Sequence, residues 1–223
     1  RMTGNQSAAV LIKYILSRRK ENGTLPKNGV MFNTIVTSDL GDRVCAEYGI
    51  KTEKTLTGFK FIGEVIKNHE IAGHGTFLLG FEESYGYLKG TYARDKDAVV
   101  ASMLVAELAA DLKAQGKTLY DGLIELYEKY GYKKYKMSKF EVYDLYVRNK
   151  DFLISDEVIT FTDRSGRLLA LKPDVTLSII NHLGNENKIQ KLYYNENVYR
   201  VSGESKRFKE IMQTGLECVG NIG

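Results

Sequence analysis

The chain has 223 residues, 43% of them hydrophobic and 27% charged, a globular composition long enough for one large or two small domains, each with its own core. A mean hydropathy of −0.29 and the lack of any apolar run approaching the ~18 residues of a membrane span exclude a transmembrane helix. Two prolines, 21 glycines and 11% aromatics argue against long disordered linkers, and a mild net charge of +4 does not suggest a coat for nucleic acid, whose basic residues would cluster into a stripe.

Helical and strand patterns alternate along the first ~130 residues. Gly4-Asn-Gln-Ser leads into a helix over Ala8 to Leu16, with Val10, Leu11, Tyr14 and Ile15 on one face, and Glu21-Asn-Gly23 stops it. Gly29 to Val36 reads as a buried strand. Ser38-Asp39 can cap a helix running to Tyr48 and closed by Gly49. A short strand at Ile50 to Lys54, a helix from Gly58 to Lys67 and a strand at Thr76 to Gly80 follow. Two helices come last, Lys96 to Ala114 and Leu119 to Tyr130. In the first, Val99, Val100, Met103, Leu104, Leu108 and Leu112 form a continuous apolar stripe. This alternation predicts a three-layer α/β domain with a mainly parallel sheet, over residues 1–132.

The texture changes after Gly131. The basic run Lys133-Lys-Tyr-Lys136 reads as part of a linker over residues 133–139. Val158 to Thr162 and Arg167 to Leu171 flank a hairpin turn at Asp163-Arg-Ser-Gly166. Lys172-Pro-Asp-Val-Thr176 opens a short helix, with Pro173 suited to its first turn. Lys191 to Val201 and Lys209 to Val219 are two long antiparallel strands joined by a polar loop, Ser202 to Arg207. Residues 140–223 are therefore a partial α+β segment with an antiparallel sheet, and no internal repeat is visible.

Three loops of the first part meet at the carboxyl ends of parallel strands, where open α/β sheets bind ligands. They are Thr57-Gly-Phe-Lys60, Gly80-Phe-Glu-Glu-Ser-Tyr-Gly86 and Ala93-Arg-Asp-Lys-Asp97. Glu82 and Ser84 stand two apart at a strand end, so carboxylate and hydroxyl can face one way and hold vicinal sugar hydroxyls. Arg94 and Lys96 supply cationic donors for a phosphate. With Thr3-Gly-Asn-Gln6 and Thr34-Ile-Val-Thr-Ser38, these segments resemble the third, sugar-binding domain of the α-D-phosphohexomutases, in the phosphoglucomutase/phosphomannomutase branch. That resemblance implies substrate binding by Glu82, Ser84, Gly58, Lys60 and Arg94. It puts Lys96 near the reacting sugar as the catalytic residue, in an acid/base or electrostatic role. The family's phosphoserine loop and Asp-x-Asp-x-Asp magnesium loop belong to other domains, and neither motif occurs here. The resemblance implies no cofactor for this chain and no phosphoryl transfer by this stretch alone.

The second part carries Phe140-Glu-Val-Tyr-Asp-Leu-Tyr146, Leu171-Lys-Pro-Asp-Val-Thr176, and Tyr199-Arg200 followed by Phe208 to Glu217. In this order the motifs resemble the histidyl-tRNA-synthetase-like class II core, nearest its ATP phosphoribosyltransferase regulatory subunit branch. The resemblance implies a histidine pocket from Asp174, Thr176, Gln213 and Glu217, with Arg200 in the position that contacts ATP phosphate. Gln213 and Glu217, four apart on a strand, share a face. The synthetases place an acid two positions after the motif arginine, where this chain has Ser202; that departure favours the regulatory branch.

The leading expectation is sugar-phosphate recognition for a phosphohexomutase, in a fragment fused to a second family. The alternatives are a histidine-binding regulatory subunit and a chimeric chain without a selected function of its own. The expected partners are a hexose phosphate and histidine, with no membrane and no nucleic acid, while exposed sheet edges leave an oligomer open. Cys45 and Cys218 read as reduced thiols of a cytoplasmic protein, with no metal-ligand spacing around either. The first residue, Arg1, and the final Asn221-Ile-Gly223 suggest an excised or fused piece of something larger.

Overall fold

The computed structural model describes residues 2–149, 151, 158–183, 189–201 and 207–220. The chain divides into two units, Arg1–Leu126 and Tyr127–Gly223, a border six residues before the one expected from the sequence.

In the first unit, α1 (Gly4–Glu21) starts at a capping box. Thr3 Oγ1 accepts from the Gln6 amide at 3.3 Å while Gln6 Oε1 accepts from the Thr3 amide at 2.8 Å, satisfying two amides at the helix start. Arg18, Arg19 and Lys20 occupy the last turn, where cations complement the helix dipole. β1 (Gly29–Thr34) is buried along its whole length. It pairs in parallel with β2 (Lys51–Thr55) on one side and β3 (Thr76–Phe81) on the other, and β4 (Tyr87–Leu88) adds an antiparallel edge.

The two faces of β1 separate the layers. Val30 and Phe32 pack with Phe59, Ile62 and Ile66 of α3 (Phe59–Ala72). Asn33, on the opposite face, donates to Asp42 of α2 (Leu40–Glu47) at 2.7 Å. α1 packs on α2 and is tied to α4 (Ala98–Ala114) by an Arg18–Asp111 ion pair. The result is the expected three-layer α/β arrangement. Each of Phe32, Ile62 and Ile66 is withdrawn fully from water, worth roughly 1.5–3 kcal/mol per side chain.

Among the differences from the sequence reading, two concern β1 and α4. β1 ends at Thr34, two residues early, because the Thr37 amide and hydroxyl both bond back to the Thr34 carbonyl; Ile35 and Val36 are exposed. In α4 the apolar stripe is not one buried face. Leu104, Leu108 and Leu112 are buried at every fourth position, whereas Val99 and Met103 are 71% and 66% exposed. A contact seam four residues apart is narrower than the apolar arc that the helix carries.

The helix α5 (Leu119–Lys129) spans the border. In the second unit, Lys133–Lys134 is not linker but a short strand, β5, paired in parallel with β9 (Gln190–Val201). The Tyr135 amide extends that pairing to the Tyr193 carbonyl. On its other side β9 pairs antiparallel with β10 (Phe208–Val219) over all twelve residues. A second sheet joins β6 (Phe140–Val142), β8 (Leu168–Leu171) and β7 (Thr160–Thr162). The expected β7–β8 hairpin is present. The Asp163 carboxylate accepts from the Ser165 and Arg167 amides, and Gly166 takes the left-handed conformation at φ 82°. Between the sheets' strands lie α6 (Asp144–Arg148) and α7 (Thr176–Leu183). Pro173 lies outside α7; Asp174 accepts from the Leu177 amide at 3.1 Å near the helix start. The expected loop at Ser202 falls outside the described residues.

Candidate functional site

In the first unit the loops that follow β1, β2 and β3 come together at the strands' carboxyl ends. The loop after β3 is a tight turn closed by the Glu82 amide donating to the Gly86 carbonyl at 2.9 Å. Closing the turn draws Glu82 inward to 7% exposure and leaves Ser84 exposed at the tip. The two therefore differ in exposure, Glu82 drawn in and Ser84 open to solvent. Glu82 Oε1 accepts from the Gly58 amide at 2.8 Å. Gly58 occupies φ 116°, a conformation that side chains disfavour, as it turns the chain into α3.

Lys96 joins this group. A Cβ built on Gly86 would lie 2.7 Å from Lys96 Cδ and 3.1 Å from Glu82 Oε2, so the lysine stem crosses the bare face of Gly86 beside the carboxylate. Its ammonium stands 5.3 Å from the Phe59 ring centre and 2.7 Å from Asp95 Oδ1. That ammonium, together with the Lys96 amide, holds the Asp95 carboxyl below its ordinary range. Lys60 is exposed, its ammonium 4.8 Å from the Phe61 ring centre. Arg94 is drawn elsewhere. Its guanidinium pairs with Glu70 in the last turn of α3, and its carbonyl presses on Gly63. Glu82, Gly58 and Lys96 thus converge, Ser84 and Lys60 flank them, and Arg94 is committed to an ion pair.

The loop is braced by contacts that no sequence motif announces. Glu83 Oε2 accepts from Thr34 Oγ1 at 3.2 Å, and Tyr85, at φ 68°, donates its hydroxyl to the Met2 carbonyl at 2.9 Å. The Tyr87 hydroxyl donates to the Gly4 carbonyl at 2.7 Å, and burial pushes that phenol up to about 12. A Cβ on Gly4 would fall 1.9 Å from the Glu83 carbonyl oxygen, so only glycine admits the loop so close to α1. The glycine at the start of α1 was the available signal.

In the second unit, the cross-strand register puts Tyr194, Glu196 and Arg200 of β9 on one face with Gly215, Gln213 and Glu217 of β10. The segment from Lys172 to Thr176 lies over that face. Thr176 Oγ1 donates to Glu217 Oε1 at 2.5 Å. Arg200 Nε donates to the Pro173 carbonyl at 2.9 Å, and Arg200 Nη2 lies 3.9 Å from Asp174 Oδ2. The expected five residues are thereby assembled. Arg200 Nη2 and Gln213 Oε1 are buried and make no hydrogen bond, a donor and an acceptor each costing about 1–3 kcal/mol if left so. Burial, then the charges of Glu217 and Asp174, push the Tyr194 phenol up to about 12. Gly215 makes room for that phenol: a Cβ there would lie 2.4 Å from its oxygen.

Among the described residues no helix is long and apolar enough to cross a membrane, and no three His, Cys, Asp or Glu side chains are placed to hold a metal.

The family model for phosphoglucomutase/phosphomannomutase, alpha/beta/alpha domain III, matches residues 3–130, and that for histidyl-tRNA synthetase matches residues 105–223. A phosphoglucomutase of Staphylococcus haemolyticus is 37% identical over 137 residues, 61% of this chain and 24% of its own length. The glucose 1,6-bisphosphate synthase of Mus musculus is 40% identical over 145 residues, 64% of this chain and 23% of its own. The chain thus spans about a quarter of the length of the curated relatives it matches. A solved ATP phosphoribosyltransferase regulatory subunit/histidyl-tRNA synthetase from Bacillus halodurans is 26% identical, covering 44% of this chain and 26% of that one, with a TM-score of 0.36.

Proposed function

The chain belongs to the phosphoglucomutase/phosphomannomutase domain III family over residues 3–130 and to the histidyl-tRNA synthetase family over residues 105–223, and from that premise we propose that its first unit recognises a hexose phosphate. The observation that carries this reading is the Glu82 carboxylate, drawn in against the Gly58 amide with the Lys96 stem beside it. A carboxylate already ordered by one backbone bond keeps lone pairs for two sugar hydroxyls, and it loses little conformational freedom on binding. Ser84 at the turn tip reaches the same sugar, and the ammonium groups of Lys96 and Lys60 take the phosphate as point charges. Within a mutase, Lys96 is the side chain of this set suited to acid/base or electrostatic work on the reacting sugar. Phosphoryl transfer needs an activated phosphate and its metal, and the reading assigns neither to this chain.

Titration of the full chain with glucose 1-phosphate should shift the amide signals of Gly58, Glu82, Ser84 and Lys96 together. The dissociation constant should be on the order of millimolar, about 4 kcal/mol of binding. Shifts confined to other parts of the unit would overturn the reading.

A second reading concerns the other unit: a histidine-binding module of the regulatory type. It is favoured by the buried Gln213 Oε1 and Arg200 Nη2, which have no hydrogen-bond partner beside the Thr176–Glu217 and Asp174–Arg200 pairs. An amino acid brings a carboxylate for the arginine and N–H donors for the glutamine and the acids. Calorimetric titration should give histidine binding that histidinol, lacking the carboxylate, does not match; equal affinities would remove Arg200 from the site. The same proposal treats the chain as a join between pieces of two families and places it in the cytoplasm. In support of the latter, both cysteines are free thiols, and burial pushes that of Cys45 up to about 11.

A further inference from the structure

Lys172 is 0% exposed, and its ammonium closes a triangle of short contacts. It lies 2.6 Å from Glu141 Oε1 and 2.6 Å from Ser178 Oγ, and Ser178 Oγ donates to the same Glu141 oxygen at 2.7 Å. The three corners belong to different elements: Glu141 to β6, Lys172 to the segment after β8, Ser178 to α7. His182 also faces Glu141, at 3.4 Å, while its Nδ1 lies 2.8 Å from the Ser178 carbonyl oxygen. The Lys172 backbone is fixed as firmly as its side chain. Its amide donates to the Lys139 carbonyl at 3.2 Å, and its carbonyl accepts from the Tyr199 amide of β9 at 2.8 Å.

A buried ion pair is weak evidence for stability, because desolvation offsets most of its attraction. What it does impose is geometry: three elements must meet at one point, or a charge is stranded. The segment fixed in this way is the one carrying Asp174 and Thr176, and the next residue along β9 after Tyr199 is Arg200. We propose that Lys172, acting with Glu141 and Ser178, is a positioning residue that sets the second unit's ligand site. It touches no ligand. It holds the 172–176 segment at the height from which Thr176 reaches Glu217 and Pro173 reaches Arg200. The ligand named for that site rests on the histidine reading above; the positioning role rests on the geometry alone.

The test uses the full chain and the double substitution Lys172→Met with Glu141→Leu, which removes both charges and leaves no stranded partner, beside Lys172→Arg and Ser178→Ala. Denaturant midpoints, amide hydrogen exchange and histidine titration are measured on each. The double variant should keep its midpoint, while the Tyr199 and Leu177 amides exchange at least tenfold faster and histidine binds at least tenfold more weakly. Lys172→Arg, which restores the cation, should recover most of both. Unchanged exchange at Tyr199 and Leu177 in the folded double variant would overturn the proposal. So would failure of Lys172→Arg to recover more than the double variant does. If the unsubstituted chain binds no histidine, the histidine reading fails, and the exchange data alone decide the positioning role. If the double variant does not fold, Ser178→Ala decides it: faster exchange at the same two amides supports the proposal, and no change refutes it.

Discussion

Replacing Glu82 with alanine is expected to abolish hexose-phosphate binding by the first unit. At millimolar affinity the whole binding free energy is about 4 kcal/mol, and a hydrogen bond to a charged group contributes roughly 1.5–3 kcal/mol. A carboxylate holding two sugar hydroxyls therefore accounts for most of what is available. Alanine also strips the Gly58 amide of its acceptor, at a residue whose φ of 116° has few alternatives. Glu82→Gln separates the two losses. Its amide oxygen can still accept from Gly58 but offers the sugar one uncharged acceptor, so binding should weaken by about tenfold without vanishing. Chemical-shift titrations of the three proteins check this, and matching responses in wild type and alanine variant would mean that the loop after β3 is not the site.

A single Lys172→Met substitution should destabilise the second unit by about 3–5 kcal/mol, because it leaves the carboxylate of Glu141 buried without its cation. That is a large share of the 5–15 kcal/mol of a typical domain. Glu141 is 9% exposed in its side chain and its second oxygen has no hydrogen bond, so water has little access to compensate. The denaturation midpoint of the second unit's transition reads the effect directly. A midpoint within error of wild type would mean that Glu141 is not held as a buried anion, and the triangle would lose its electrostatic meaning.

Much of the fold could be read in the chain because its strongest signals are local. β1 reads as buried since the stretch from Gly29 to Val36 is rich in Val, Phe and Ile, and α1 reads as a helix since Val10, Leu11, Tyr14 and Ile15 fall on one face. Turns with a fixed residue chemistry, such as Asp163 to Gly166, are equally legible. β4, β5 and β6 were not. Each has two or three residues, too few for any period to show; β5 and β6 exist only because a strand distant in sequence offers them a partner, and β4 only because the tight turn folds it back on β3. The exposure of Val99 and Met103 is likewise a property of what α4 packs against.

The candidate sites divide in the same way. Gln213 and Glu217 share a face by strand period alone, and the structure keeps them there. The same rule would put Glu82 and Ser84 on one side, but Ser84 lies within the turn that Glu82 opens, so the strand period does not apply. Arg94 reads as a phosphate ligand from its position in a loop, yet Glu70, 24 residues away in sequence, claims it. The Lys172 triangle was invisible because Glu141, Lys172 and Ser178 are spread over 37 residues, and a lysine in a sequence carries no mark of burial.

The bonds from Tyr85 to Met2 and from Tyr87 to Gly4 each close a loop of 83 residues. Contacts of that span form only after the intervening chain has been ordered, since the entropy of closing so long a loop must first be offset by contacts within it. The docking of the turn after β3 on the start of α1 is therefore expected among the last steps of folding, when the sheet it caps is already in place. Damage to Gly4 or Tyr87 would be felt mainly as faster unfolding, with the folding rate barely altered. During synthesis, a ribosome must have released residue 87 before the loop after β3 can take its final form.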